Sequence, residues 1–233
     1  MDPLVSRLRG NLERIFAEIE ETCVRAGRDP TSVQLVAISK YATAIETRAL
    51  ITALVELGRP AVLGESRVQA LAQKLAALSD VATPVRWDFV GTLQRNKARS
   101  AVRLAHRIHS LDRRAILEVV HSIGQQEGKV VRGLLQVNVA AEASKQGFDP
   151  AEVGEALAHC AELPGLKIEG LMGMAPRGTD HETARGAFRQ LADLRAASGF
   201  ELPELSMGMS GDYRGAILEG ATMLRIGSAL FRS

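Results

Sequence analysis

The stretch Gln34 to Ala44, QLVAISKYATA, decides how the remainder of this 233-residue chain is read. Leu35 to Ser39 shows no alternation of polar and apolar residues, as expected of a short strand buried on both faces. Lys40 then places a cation where that strand stops. A strand covered on both sides implies a parallel sheet sheathed in helices, so the question becomes how often such a strand recurs.

Counting the first, it occurs eight times. The runs are 34–39, 61–66, 85–91, 107–112, 132–140, 167–175, 204–210 and 223–231, each followed by a longer amphipathic segment or the end of the chain. Eight strands alternating with helices predict a single-domain α/β fold, a (β/α)8 TIM barrel over residues 1–233, with an open doubly wound sheet as the alternative. No Gly/Pro-rich linker or shift of composition marks a second domain. Ahead of the first strand, Leu4, Leu8, Leu12, Ile15 and Ile19 fall at helical spacing and the pattern stops at Gly27. Residues 1–26 therefore form an extra N-terminal helix packed on the barrel.

Composition narrows the function. With 46% hydrophobic residues the chain has material for a sizeable core, and a formal net charge of +2, from 29 basic against 27 acidic residues, supplies no field suited to nucleic acid or an anionic membrane. No apolar run approaches the ~20 residues of a membrane span, and the charged first segment is not a signal peptide. The expectation is a cytoplasmic protein. Cys23 and Cys160 lie far apart in no CxxC pattern, which favours two reduced thiols. The five histidines, His106 and His109 included, share no metal-ligand spacing, so no metal is assigned.

In a barrel the reactive groups sit at the C-terminal ends of the strands. There the chain places Lys40, Ser66, the loop SMGMSGDYRGAI from Ser206, and Arg225 with Gly227 and Ser228 in RIGSALF. The loop sets Ser206, Met207, Gly208, Ser210 and Gly211 between a strand and a helix opening near Asp212, where N–H groups and hydroxyls could gather round an anion. Ser210 has the alternative of being a helix N-cap. Gly227 and Ser228 belong to the next unit, and the loops after strands 7 and 8 are the usual phosphate cradle of this barrel. Lys40, partly desolvated at the mouth, would offer an amine to an aldehyde; the plainer alternative is a solvated lysine. Amine and phosphate cradle together are the two halves of a pyridoxal 5′-phosphate site. Lys97 and Lys145 are further mouth candidates against a plain reading as solvated loop lysines, Asn96 a candidate cap, and Trp87 and Phe89 core residues.

The segments LVAISK, WDFVGTLQRNKAR, HSLD, LLQVNVAAEASKQGF, LSMGMSGDYRGAILEGAT and RIGSALF resemble, in order and spacing, the pyridoxal phosphate homeostasis protein family over roughly residues 34–231. The resemblance implies a single-domain barrel like the N-terminal part of alanine racemase, of fold-type III among pyridoxal phosphate proteins. It implies a Schiff base to the cofactor at Lys40, phosphate contacts at Ser206, Gly227 and Ser228, and an arginine, Arg225, facing the pyridine nitrogen. A guanidinium keeps its proton and leaves that nitrogen unprotonated, which makes the ring a weak electron sink. The family is not credited with an established reaction; the implied role is to buffer the cofactor or deliver it to apo-enzymes that use it. The chain departs from the family pattern at Tyr41 to Thr43, at Ser66, where an asparagine is usual, and at Asp88, where a histidine is usual. Two alternatives remain: an amino-acid racemase or related enzyme, for which Tyr41 and Tyr213 are the available tyrosines, and a phosphate-binding barrel without pyridoxal phosphate. Lacking the second domain through which racemases of this fold pair, the protein is expected to be a monomer.

Overall fold

The computed structural model describes residues 2–140, 146–176, 178 and 181–232. Lys145 lies outside them. The eight runs form eight parallel strands closed into a barrel in sequence order: β1 (Gln34–Ile38), β2 (Ala61–Glu65), β3 (Val85–Phe89), β4 (Arg107–Leu111), β5 (Val131–Gln136), β6 (Leu166–Met172), β7 (Glu204–Ser206) and β8 (Met223–Ile226). Between them run α2 (Ala44–Glu56), α3 (Val68–Ala77), α4 (Ala98–Leu104), α5 (Arg114–Gln126), α6 (Val153–Ala161), α7 (His181–Ala197) and α8 (Tyr213–Leu218). No helix among the described residues is long and apolar enough to cross a membrane.

The N-terminal helix, α1 (Pro3–Arg25), is capped by the Asp2 side chain on the Leu4 N–H and ends before Gly27, whose φ of 63° suits glycine. It buries Leu8, Leu12, Ile15, Ile19 and Cys23 against α2 and α8. No helix follows β8 among the described residues, so α1 closes the ring between α8 and α2. The helix expected as an addition is thus part of the barrel's outer layer. Asn11, on its inner face, fastens it by donating from Nδ2 to the carbonyls of Leu230 and Arg232, both at 2.9 Å.

Both faces of the strands are buried, which explains the missing alternation. Trp87 and Phe89 point outward into the main core under the helices, as expected, while Val36, Val62, Leu134, Met172 and Met223 fill the lumen. The late strands are shorter than the apolar runs suggested: β5 stops at Gln136, β6 at Met172, β7 at Ser206 and β8 at Ile226. The tails of those runs, among them Val137, Val139, Ala175, Met207 and Leu230, are loop residues that remain buried. Apolarity there reports burial under the mouth, not extended backbone.

Candidate functional site

The C-terminal ends of β1, β2 and β8 surround a cleft of about 520 Å³, within the roughly 300–1,000 Å³ range of small-molecule sites. Lys40, Ser66, Ser210, Arg225, Gly227 and Ser228 line it, over an apolar wall of Ile38, Val90, Met174 and Phe231. Of the eight candidates read from the sequence, these six come together. Ser206 and Met207 do not. Met207 is fully buried in the core, and Ser206 lies beneath the cleft with its hydroxyl engaged by Arg225 and His109.

Strand register explains the convergence. Val36 pairs with Arg225 and Ala37 with Ile226, so β1 and β8 deliver Lys40 and Gly227 to the same rim. A Cβ on Gly227 would stand 3.3 Å from that of Ile38, so glycine keeps this rim open. The loop after β7 turns at Gly208 with φ of 87°, where a Cβ would meet Ala216 at 2.7 Å. The Gly208 carbonyl then receives the Arg225 N–H at 3.0 Å. Ser210 Oγ accepts from the N–H groups of both Gly227 and Ala229 at 3.3 Å, tying the two loops together. Ser210 is therefore not an N-cap; Asp212 precedes α8, and its Oδ1 accepts the Met209 N–H.

Lys40 is exposed, with Nζ 4.9 Å from the ring centre of Tyr41, itself 88% exposed. The partial desolvation expected of this amine is absent, because the chain leaves β1 at Ile38 and carries Lys40 onto the lip. What the fold fixes is the backbone beneath it. Lys74 of α3, buried, donates to the Ser39 carbonyl at 2.5 Å and to Glu65 Oε1 at 2.8 Å. Glu65 Oε2 in turn accepts the Ser66 N–H at 2.8 Å. One buried ion pair thereby ties the residue before Lys40 to the residue at the end of β2.

Arg225 is 6% exposed and has neutral partners: Nη1 donates to Ser206 Oγ at 2.6 Å and Nη2 to the Gly173 carbonyl at 2.9 Å. Burial pulls its pKa down to about 10 against the upward pull of Asp212. Among the described residues Glu46 is the one carboxylate lining the cleft. It is committed to capping α2, accepting the Thr43 N–H at 2.8 Å and the Thr43 hydroxyl at 2.9 Å, and the backbone bond foremost holds its carboxyl below the usual range. Tyr213 faces away, its hydroxyl donating to Glu18 of α1, and burial pushes its pKa up to about 12.

Lys97 and Asn96 do not line the cleft; Asn96 is exposed in the turn Arg95–Lys97 and caps no helix. The departure at Asp88 falls in the lumen, bonded to His109, and does not line the cleft. The departure at Ser66 does reach the cleft. Sequence reading missed Gly173, whose carbonyl holds Arg225, and gave no role to His109 or Lys74. The usable signal was a polar side chain inside a strand buried at that position, which Asp88 in VRWDF and His109 in RIHSL both display.

The alanine racemase N-terminal domain family model matches residues 31–233. The pyridoxal phosphate homeostasis protein of Aquifex aeolicus is 36% identical over 224 residues, covering 94% of this chain and 95% of that protein. PipY of Synechococcus elongatus, solved with pyridoxal phosphate bound, superposes with a TM-score of 0.78 at 35% identity, covering 92% of this chain and all of that one. A protein of unknown function from Bifidobacterium adolescentis superposes with a TM-score of 0.89 at 30% identity, over 99% and 97% of the two chains. With the family model spanning the barrel and relatives matching almost end to end, this chain belongs to the pyridoxal phosphate homeostasis protein family, within the alanine racemase N-terminal domain group.

Proposed function

We propose that this protein binds pyridoxal 5′-phosphate in the cleft at the end of β1, β2 and β8 and serves cofactor homeostasis, holding pyridoxal phosphate and passing it to apo-enzymes. The carrying observation is one cleft that joins a strand-end amine, a buried guanidinium without a carboxylate, and two N–H groups converging on a single acceptor point. Pyridoxal phosphate supplies an aldehyde that condenses reversibly with a primary amine, with loss of water. Lys40 is the amine on the lip. Arg225 can donate to the ring nitrogen and has no proton to spare for it, which disfavours carbanion chemistry. The N–H groups of Gly227 and Ala229, now spanned by Ser210 Oγ at long range, mark where a phosphate oxygen is received, with the Ser228 hydroxyl beside them. These groups therefore fit the aldehyde, the ring nitrogen and the phosphate of the cofactor.

A holding role fits the remaining titratable groups. Glu46 is tied to its capping box, Tyr213 lies outside the cleft, and Tyr41, which does line it, is 88% exposed with its ring centre 4.9 Å from Lys40 Nζ on the same lip, so none is poised as a base opposite Lys40. Two buried free thiols, Cys23 and Cys160, suit a reducing cytoplasm, and we take the working unit to be a monomeric single-domain barrel.

The test is an absorbance spectrum of protein mixed with pyridoxal phosphate, borohydride reduction, and peptide mass mapping. A visible band trapped on Lys40 and lost in Lys40→Ala supports the reading. A label scattered over surface lysines sinks it. Transfer is followed by activation of an apo-enzyme across a dialysis membrane and in direct mixture; faster activation in mixture is expected of a carrier.

A further inference from the structure

Beneath the cleft, the lumen contains a polar chain that runs from one side of the barrel to the other. Asp88 of β3 meets His109 of β4 through Oδ2···Nε2 at 2.9 Å. His109 Nδ1 lies 3.0 Å from Ser206 Oγ of β7, and Ser206 Oγ accepts from Arg225 Nη1 of β8 at 2.6 Å. His109 and Ser206 are fully buried and Asp88 is 1% exposed. Only Arg225 reaches the cleft.

The chemistry of the end groups gives the chain a direction. A guanidinium has donors alone, so Ser206 Oγ accepts from it. An ionised carboxylate has acceptors alone, so His109 donates from Nε2 to Asp88. Burial disfavours the charged imidazole, and a neutral ring with its proton on Nε2 must accept at Nδ1, where the Ser206 hydroxyl donates. Every proton in the chain follows from the charge on Asp88. Among the described residues the other oxygen, Asp88 Oδ1, has no hydrogen-bond partner, so His109 is there the carboxylate's one side-chain link. With Nη1 held by Ser206 and Nη2 by the Gly173 carbonyl, the guanidinium plane cannot turn.

We infer that Asp88, His109 and Ser206 are positioning residues that hold Arg225 in the orientation it presents to the cleft. None of the three lines the cleft. The inference rests on the reading that pyridoxal phosphate lies with its ring at Arg225. Without the Asp88 carboxylate nothing anchors the His109 proton on Nε2, and the ring is free to carry it on Nδ1 and donate to Ser206 Oγ instead. That oxygen then faces two donors, its own proton loses its acceptor, and Arg225 loses its fixed partner.

Two readouts separate this inference from the reading beneath it. The first uses cofactor-free protein: imidazole ¹⁵N–¹H correlations assign the His109 tautomer, and the Arg225 side-chain N–H resonance reports the guanidinium. The expected result is an Nε2–H tautomer in the wild-type protein, and in Asp88→Leu the appearance of the Nδ1–H tautomer beside it with a displaced Arg225 resonance. The second adds pyridoxal phosphate. Asp88→Leu and Ser206→Ala are both expected to shift the visible absorbance maximum and weaken binding about tenfold, the order seen when an outer partner of a ligand-holding side chain is lost. Ser206→Ala removes a single oxygen, so it keeps the test alive if Asp88→Leu misfolds. A wild-type His109 protonated at Nδ1, or wild-type spectrum and affinity in both variants, overturns the inference. If the wild-type protein shows no visible band, the proposed function falls, and the first readout still decides whether the chain holds Arg225.

Discussion

Two arginines lie buried in the same lumen and are treated in opposite ways. Arg107, at the start of β4 and 4% exposed, donates to Glu169 at 3.0 Å and approaches Glu204 at 3.4 Å. Glu169 also takes Arg132 at 2.8 Å, so the barrel floor is a closed network of paired charges. Arg225, at the mouth and 6% exposed, is given a hydroxyl and a carbonyl. A buried cation already met by carboxylates is spent on the fold, whereas one met by neutral acceptors keeps its charge available to a ligand. The lysines repeat the contrast: Lys74 is buried and paired with Glu65, and Lys40, bonded to no carboxylate among the described residues, stands on the lip of the cleft.

The comparison breaks first if the floor proves dispensable. Glu169→Leu leaves Arg107 with Met223 Sδ at 3.0 Å and, of its two carboxylates, the long contact to Glu204 alone, and loss of one partner from a buried pair is expected to cost about 3–5 kcal/mol, read as a lowered urea midpoint at unchanged slope. Pyridoxal phosphate binding at temperatures where the variant is folded should be unaltered. Next in size is Lys74→Met, which leaves Glu65 fully buried but still bonded to the Ser66 N–H, for a loss of about 3 kcal/mol. Since Lys74 also holds the Ser39 carbonyl, this variant should in addition slow capture of the cofactor by Lys40, measured by stopped-flow absorbance.

A pH effect comes third. Burial lowers the His109 pKa, with Arg225 of β8 and Arg107 of its own strand acting the same way, and Asp88 of β3 opposing; Ser206 of β7 faces it as a neutral group. The folded state therefore refuses a proton that the unfolded chain takes up as pH drops below about 6.5. Stability should fall with pH below that value, by at most about 1.4 kcal/mol per unit for this one group. His109→Gln should flatten the slope between pH 6.5 and 5.5 in urea titrations. An unchanged slope would assign the acid sensitivity to other groups.

Much of the barrel was legible because its strands are buried on both faces, a pattern visible in QLVAI and AVLGE without any partner in view. The site was legible in its backbone punctuation, Gly208, Gly227 and Lys40, where the chain must turn or stop. Three things were hidden. Strand ends from β5 onward could not be read, since Val139 or Met207 is equally apolar in a buried loop. The exposure of Lys40 depends on where β1 releases the chain, a matter of register and not of residue type. The partners of Arg225 come from β7 and the turn after β6, fifty-two residues away in the case of Gly173, and no local window joins them.

The smallest effect is the most informative about the two arginines. Arg225→Leu removes a cation paired with no carboxylate among the described residues, so no described charge is orphaned; the Gly173 carbonyl and Ser206 hydroxyl each lose a donor, and a buried desolvated guanidinium is lost with them. These terms oppose one another, and the expected change in stability is no more than about 1 kcal/mol. The spectrum of bound pyridoxal phosphate should nevertheless move, because the donor proposed for the ring nitrogen is gone. A loss as large as that of Glu169→Leu would mean that Arg225 supports the barrel as Arg107 does, and the distinction between floor and mouth would disappear. Near-neutral stability with an altered spectrum would place the cost of burying this cation with the ligand it serves.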